Sequence, residues 1–181
     1  LALALSAVGP TRGPPYVQER QSLLYLGLKR LVLGVIPDGQ DVQLHPTALA
    51  GWAGLLVTML NLLPWGQLDG GHVAYALLGP RHHRIARYFR GGLLLLFLYN
   101  AWRFVLPVAL GRSDLGWGFA LSDSSFWLMW FVVLGFIARG SGGAEHPPTE
   151  PGELSPKRRI IAIVTLAFFV LLFMPTPWAV F

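Results

Sequence analysis

Asn61, Pro64, Asp69 and His72 fall within one short stretch, Asn61-Leu-Leu-Pro-Trp-Gly-Gln-Leu-Asp-Gly-Gly-His72, and it is the part of this chain best equipped for chemistry. Apolar sequence lies on either side of it, and Pro64, Gly66, Gly70 and Gly71 interrupt any helix that runs through. A lone carboxylate in such a setting costs about 3 kcal/mol at the centre of a bilayer unless something compensates it, and a bound cation would. Glycines on its carboxyl side let backbone approach closely. From residue types alone Asp69 reads equally as a metal ligand and as a helix-packing hydrogen bonder. Asn61 reads as a packing amide, Pro64 as a kink, and His72 as either a ligand or a packing residue. The chain has no cysteine, so a metal here is held by His and carboxylate.

The elements that must position this stretch are written in the composition. Of 181 residues 54% are hydrophobic and only 13% charged, about half the charged fraction of a soluble domain. The apolar residues come in runs, which places the chain in a bilayer. The expected fold is all-α: a polytopic integral membrane protein with about four spans, an N-terminal stub and an interfacial helix. Residues 1–8 form an apolar stub too short to span, expected to be the end of a transmembrane helix, so that the chain is the carboxy-terminal portion of a longer protein. Residues 21–36 read as an amphipathic helix at the interface. Spans are expected at residues 47–63, 91–110, 126–138 (with a possible start near Trp117) and 160–174. The helix broken at Pro64 continues as a short piece to Leu78. Ala50 and Gly54 make a small-xxx-small pair suited to close helix packing. Residues 111–125 and 140–156 are expected to be loops, the second a surface loop, within a single membrane-embedded domain over residues 1–181.

The formal net charge is +5, but the basic residues flank apolar runs, which argues for a membrane protein and against a nucleic-acid partner. Arg81, Arg84, Arg87, Arg90, Arg139, Lys157, Arg158 and Arg159 lie in segments that alternate spans put on one face. Arg12, Arg20, Lys29, Arg30 and Arg112 lie on the other, and Arg103 within a span. That asymmetry puts residues 81–90 in the cytoplasm and Asp69 at membrane depth near the cytoplasmic side. His82 and His83 are expected in a solvated, arginine-rich loop. Trp117, Trp127, Trp130 and Trp178 are expected in an interfacial aromatic belt.

Asn61, Pro64 and Leu68-Asp69-Gly70 together resemble the second signature of the site-2 proteases, an Asn, a Pro three residues on, then Leu-Asp-Gly. His45-Pro46 leading into Ala50-Gly51-Trp52 and Thr58, and His146-Pro147-Pro148 before a final basic-capped span, resemble a bacterial branch of that family. The resemblance implies a zinc-dependent intramembrane endopeptidase that cuts transmembrane segments of protein substrates, in the bacterial cytoplasmic membrane. In this family a His-Glu-x-x-His helix supplies two zinc ligands and the general base, and the Asp of the second signature completes the protein ligands. The resemblance therefore implies that Asp69 is a zinc ligand and that Asn61 and Pro64 shape the substrate side. None of the five histidines here is followed by Glu, so the general base is expected upstream of Leu1 and no catalytic residue within this chain. Competing readings are a transporter or channel with Asp69 as ion ligand, and an inactive membrane scaffold. An aspartyl protease needs two aspartates within spans, and only Asp69 is expected in one.

Overall fold

The computed structural model describes residues 2–10, 17–37, 40–140 and 154–180. One 3-10 turn, Ala2–Leu5, leads into strand β1 (Ala7–Pro10), and β2 (Val17–Glu19) precedes helix α1 (Leu23–Leu33). Strand β3 (Gln40–Gln43) is followed by α2 (Pro46–Asn61). After a break come α3 (Asp69–Leu78), a 3-10 turn at Gly79–Arg81 and α4 (His82–Asn100). A π-helical turn, Ala101–Val105, carries α4 into α5 (Leu106–Ala109). Helices α6 (Trp117–Gly140) and α7 (Pro156–Leu172) and strand β4 (Trp178–Val180) complete the described chain.

The molecule is mainly helical but not all-α. Strand β1 pairs antiparallel with β3, Gly9 opposite Asp41, and β2 with β4, Glu19 opposite Trp178. The apolar stub is thus a turn and a strand, not the end of a spanning helix. Pairing partners 30 or more residues away decide this, and local hydropathy does not report them.

Two helical runs are long and apolar enough to cross a bilayer, Asp69–Ala109 and Trp117–Gly140. Helices α2 and α7 have 16 and 17 residues, about 24–26 Å at 1.5 Å per residue, short of a ~30 Å hydrocarbon core. The apolar residues of these helices are largely exposed: Leu95 is 68% accessible, Phe136 66% and Ile161 65%. A soluble core helix would bury them; exposure of this kind suits a lipid-facing surface. Helix α6 starts at Trp117, which shortens the expected 111–125 loop to residues 111–116.

Local sequence explains most boundaries. Ser22 caps α1, its Oγ accepting from the Tyr25 N–H at 3.2 Å, and Gly34 ends it at φ 73°. The His45 ring nitrogen accepts from the Thr47 N–H, and Pro46 opens α2. Pro156 likewise opens α7 behind Ser155. Residues 141–153, with His146, Pro147, Pro148 and most of the expected surface loop, lie outside the described residues.

Helix α7 packs against α1, α2 and α3, and α4 packs along α6. The core between them holds Trp52, Met59, Leu63, Trp65, Leu93, Trp127, Leu134 and Met174. Trp127 is therefore not an interfacial residue. It is wholly buried, stacks on Phe173 with centroids 5.6 Å apart, and donates its indole N–H to the Pro175 carbonyl at 2.6 Å. Asn100 donates to the same carbonyl at 3.0 Å, which ties the chain beyond α7 to the ends of α4 and α6. Arg90 lies 4.6 Å from the Phe131 ring and beside Gly135, so α4 and α6 run antiparallel. Arg139 then lies at the same end as residues 81–90. Those residues form helix, not a loop: a 3-10 turn and the start of α4, with Ala86 and His82 buried and Arg84 and Arg87 exposed.

Candidate metal and substrate site

Helix α2 ends at Asn61 because Pro64 removes a donor and disfavours helix before it. Residues 62–68 then form an irregular segment closed by short-range bonds. Leu63 N–H donates to Leu60 O at 3.2 Å, Trp65 N–H to Leu63 O at 2.7 Å, and Leu68 N–H to Trp65 O at 3.3 Å. Gly66 takes the left-handed conformation, φ 55°. Leu63 and Trp65 are fully buried and pin the segment into the core. Burial of this kind is what non-helical backbone needs wherever water is excluded.

The two glycines after Asp69 have a steric role. A Cβ on Gly70 would run into the Leu62 carbonyl and sit 2.7 Å from Leu63 O; one on Gly71 would meet the Gly66 carbonyl and lie 2.7 Å from Trp65 O. The first turn of α3 thus rests directly on the broken backbone, and only glycine allows that approach.

Asp69 opens α3, where a carboxylate is favoured by the unpaired N–H groups and the helix dipole. Its side chain is exposed, as are Asn61 at the end of α2 and Gln67, while Pro64 and His72 are half-buried. His72 follows Asp69 by three positions and shares its helix face. No ion pair engages Asp69 among the described residues, where no group of three or more His, Cys, Asp or Glu comes together either. The break therefore presents one carboxylate outward, flanked by an amide and a proline.

His82 was the residue misjudged from sequence. It is fully buried, its ring lies 6.0 Å from that of Tyr75, and its Nε2–H donates to the Pro64 carbonyl at 3.2 Å. It clamps the break from the start of α4; His83 next to it is half-buried. The signal available in sequence was its place on the buried side of an α-helical register with Ala86, Phe89 and Leu93. Asp123, placed by sequence in a loop, lies inside α6 at 3% exposure and accepts from the Val180 N–H at 2.9 Å. It is an aspartate within a candidate spanning helix; its Oδ2 holds β4, while its Oδ1 is buried without a hydrogen-bond partner among the described residues.

The outward face of α2 is also instructive. His45, Ala50, Gly51, Gly54, Thr58 and Asn61 are exposed, and a Cβ on Gly54 would meet nothing within 4 Å. The small-residue pair read from the sequence has no described helix against it.

The family model for peptidase family M50 matches residues 27–99, which contain α2, the break, α3 and most of α4. This is homology to the site-2 proteases. The probable zinc metalloprotease EGY2, chloroplastic, of Oryza sativa subsp. indica is 29% identical over 162 residues, 87% of this chain and 25% of that protein. The probable zinc metalloprotease EGY3, chloroplastic, of the same rice is 34% identical over 119 residues, 66% of this chain and 16% of its own length. The Arabidopsis thaliana EGY1 is 43% identical over 61 residues, 33% of this chain and 11% of its own length. The chain thus spans about a quarter or less of the length of the curated relatives it matches. No solved structure matches. These relatives are plant proteins named as chloroplastic, so the bacterial branch read from the sequence finds no support among them.

Proposed function

We propose that this chain supplies the aspartate part of the active site of a zinc-dependent intramembrane endopeptidase, one that cuts transmembrane segments of membrane-protein substrates. The observation that carries this reading is Asp69 itself: an outward-facing carboxylate without an ion pair among the described residues, at the first turn of a helix whose position two glycines and a buried histidine enforce. A carboxylate carried on backbone held this firmly suits a zinc ligand. The remaining ligands and the general base belong to a His-Glu-x-x-His helix that this sequence does not contain. Zinc, when bound, lowers the pKa of a coordinated water to near 7 and so furnishes a hydroxide nucleophile. Asn61, at the exposed end of α2, offers an amide that can donate to a substrate carbonyl and accept from its N–H. Pro64, half-buried in the break, shapes the substrate side next to it. The proposed residence is the bacterial cytoplasmic membrane, with the arginine-rich end of α4 inside.

The test is made in full-length protein with its upstream helices. Asp69→Ala is expected to abolish cleavage of a membrane-helix substrate and to deplete zinc by metal analysis. Asp69→Asn should do nearly as badly, because an amide oxygen does not offset the metal's charge. Asn61→Ala should slow cleavage while zinc stays bound. Full zinc and full activity in Asp69→Ala would overturn the proposal in favour of an ion-transport role. For the topology, cysteines introduced at positions 84 and 114 should label from opposite faces, and labelling from one face would refute it.

A further inference from the structure

Arg103 is the charged side chain that neither the candidate site nor the fold accounts for. It lies in the π-helical turn Ala101–Val105 of the Asp69–Ala109 run, six residues and about 9 Å before the helical run ends. Its side chain is exposed. Near the hydrocarbon boundary an arginine is costly unless an anion meets it. The contacts it makes are neutral: the Tyr99 hydroxyl at 3.3 Å and the Phe104 ring at 5.6 Å. A carboxylate does line the polar cavity beside it, that of Glu19, but Glu19 is ion-paired to the buried Lys29 at 2.9 Å. Asp114, two residues beyond Arg112, forms no ion pair among the described residues.

On the other side of Arg103 is a cavity of about 280 Å³ lined by Trp102, Arg103, Leu106, Pro107, Leu110 and Arg112. It has a guanidinium contributed from each end of the segment and apolar walls between, with Trp102 65% exposed and Leu110 53%. Trp102 and Arg103 are both exposed on the π turn, and such turns inside long helices are frequently functional. We propose that Arg103 and Arg112 together bind the phosphodiester of an anionic phospholipid, its acyl chain lying along Trp102, Leu106 and Leu110. Two guanidiniums suit phosphate because each can donate a parallel pair of hydrogen bonds. The apolar, outward-open walls and the depth select a lipid over a soluble anion. A second polar site for headgroup atoms is available in the neighbouring cavity of about 390 Å³, which Tyr99 and Thr176 line.

The test uses the full-length protein in detergent, with phosphatidylglycerol and phosphatidylcholine of identical acyl chains as probes. Native mass spectrometry should show phosphatidylglycerol retained about tenfold better than phosphatidylcholine, a difference set by charge-assisted pairing. The double change Arg103→Gln, Arg112→Gln should abolish that preference, whereas Arg84→Gln, Arg87→Gln at the opposite end should leave it intact. If the Gln pair fails to fold, as judged by circular dichroism, Leu110→Glu serves instead. It keeps both arginines and a largely exposed position, and places a competing carboxylate in the groove, so the preference should again be lost. Equal retention of the two lipids would overturn the proposal, as would phosphatidylglycerol preference surviving in the folded Gln pair or in Leu110→Glu. Displacement of phosphatidylglycerol by millimolar inorganic phosphate would also overturn it, in favour of a soluble-anion site.

Discussion

Residues 62–68 and Ala101–Val105 both interrupt regular α-helix, and the two interruptions are built on opposite principles. The first abandons helix, hides its bulky Leu63 and Trp65, and is held by contacts from outside itself: the first turn of α3 and the His82 ring. The second contains neither proline nor glycine, keeps a helical hydrogen-bond ladder one residue wider, and turns Trp102 and Arg103 outward. The difference follows from the solvent. Lipid offers no hydrogen bonds, so a backbone that leaves helix must be enclosed by protein, while a widened turn stays internally satisfied and can face the bilayer. A rigid break suits a ligand that must hold a fixed position; a π turn suits a surface that meets mobile lipid.

This contrast can be broken by substitution. Gly70→Ala should do the most damage, about 3 kcal/mol or more, because backbone on both sides of the contact would have to move. Loss of folded protein in a detergent stability assay is the expected result, and an unchanged melting temperature would mean that α3 does not rest on the break. His82→Ala should cost about 1–3 kcal/mol by removing a buried donor from the Pro64 carbonyl. His83→Ala, at a half-buried neighbour, is the internal comparison. Gly66→Ala should cost about 1 kcal/mol, the strain of a left-handed residue with a Cβ. Trp102→Ala, in the exposed second interruption, should change stability by no more than about 0.5 kcal/mol. A large loss there would show that the π turn, like the break, depends on packing. Asp69→Asn should cost no more than about 1 kcal/mol, the loss of a charge at the start of α3, while abolishing cleavage, which separates the ligand from the scaffold that holds it.

Much of this was legible in the residues. Pro64 and the glycines marked the break to within a residue or two, since proline and glycine act on the backbone where they stand. Ser155 and Pro156, a cap followed by a first-turn proline, marked the start of α7. The amphipathic helix expected at 21–36 is α1. What was misread concerned register and partners. The arginines at 81, 84, 87 and 90 recur every third residue, which a charged loop and a helix with one wet face both produce. The structure shows the helix, and with it a buried His82 on the opposite face.

By itself, then, the sequence determined that the chain is apolar enough for a bilayer, that a helix breaks near Pro64, and that one carboxylate follows the break. These depend on side-chain transfer energies and backbone geometry, which are properties of residues one or a few apart. Only the tertiary structure decided that the stub pairs as a strand with residues 40–43, that Trp127 belongs to the core, and that His82 holds Pro64 while Asp69 is left facing outward. Each of those outcomes is a contact between residues far apart in the chain, and a hydrogen bond or a buried ring gains its energy only from the partner that folding brings to it.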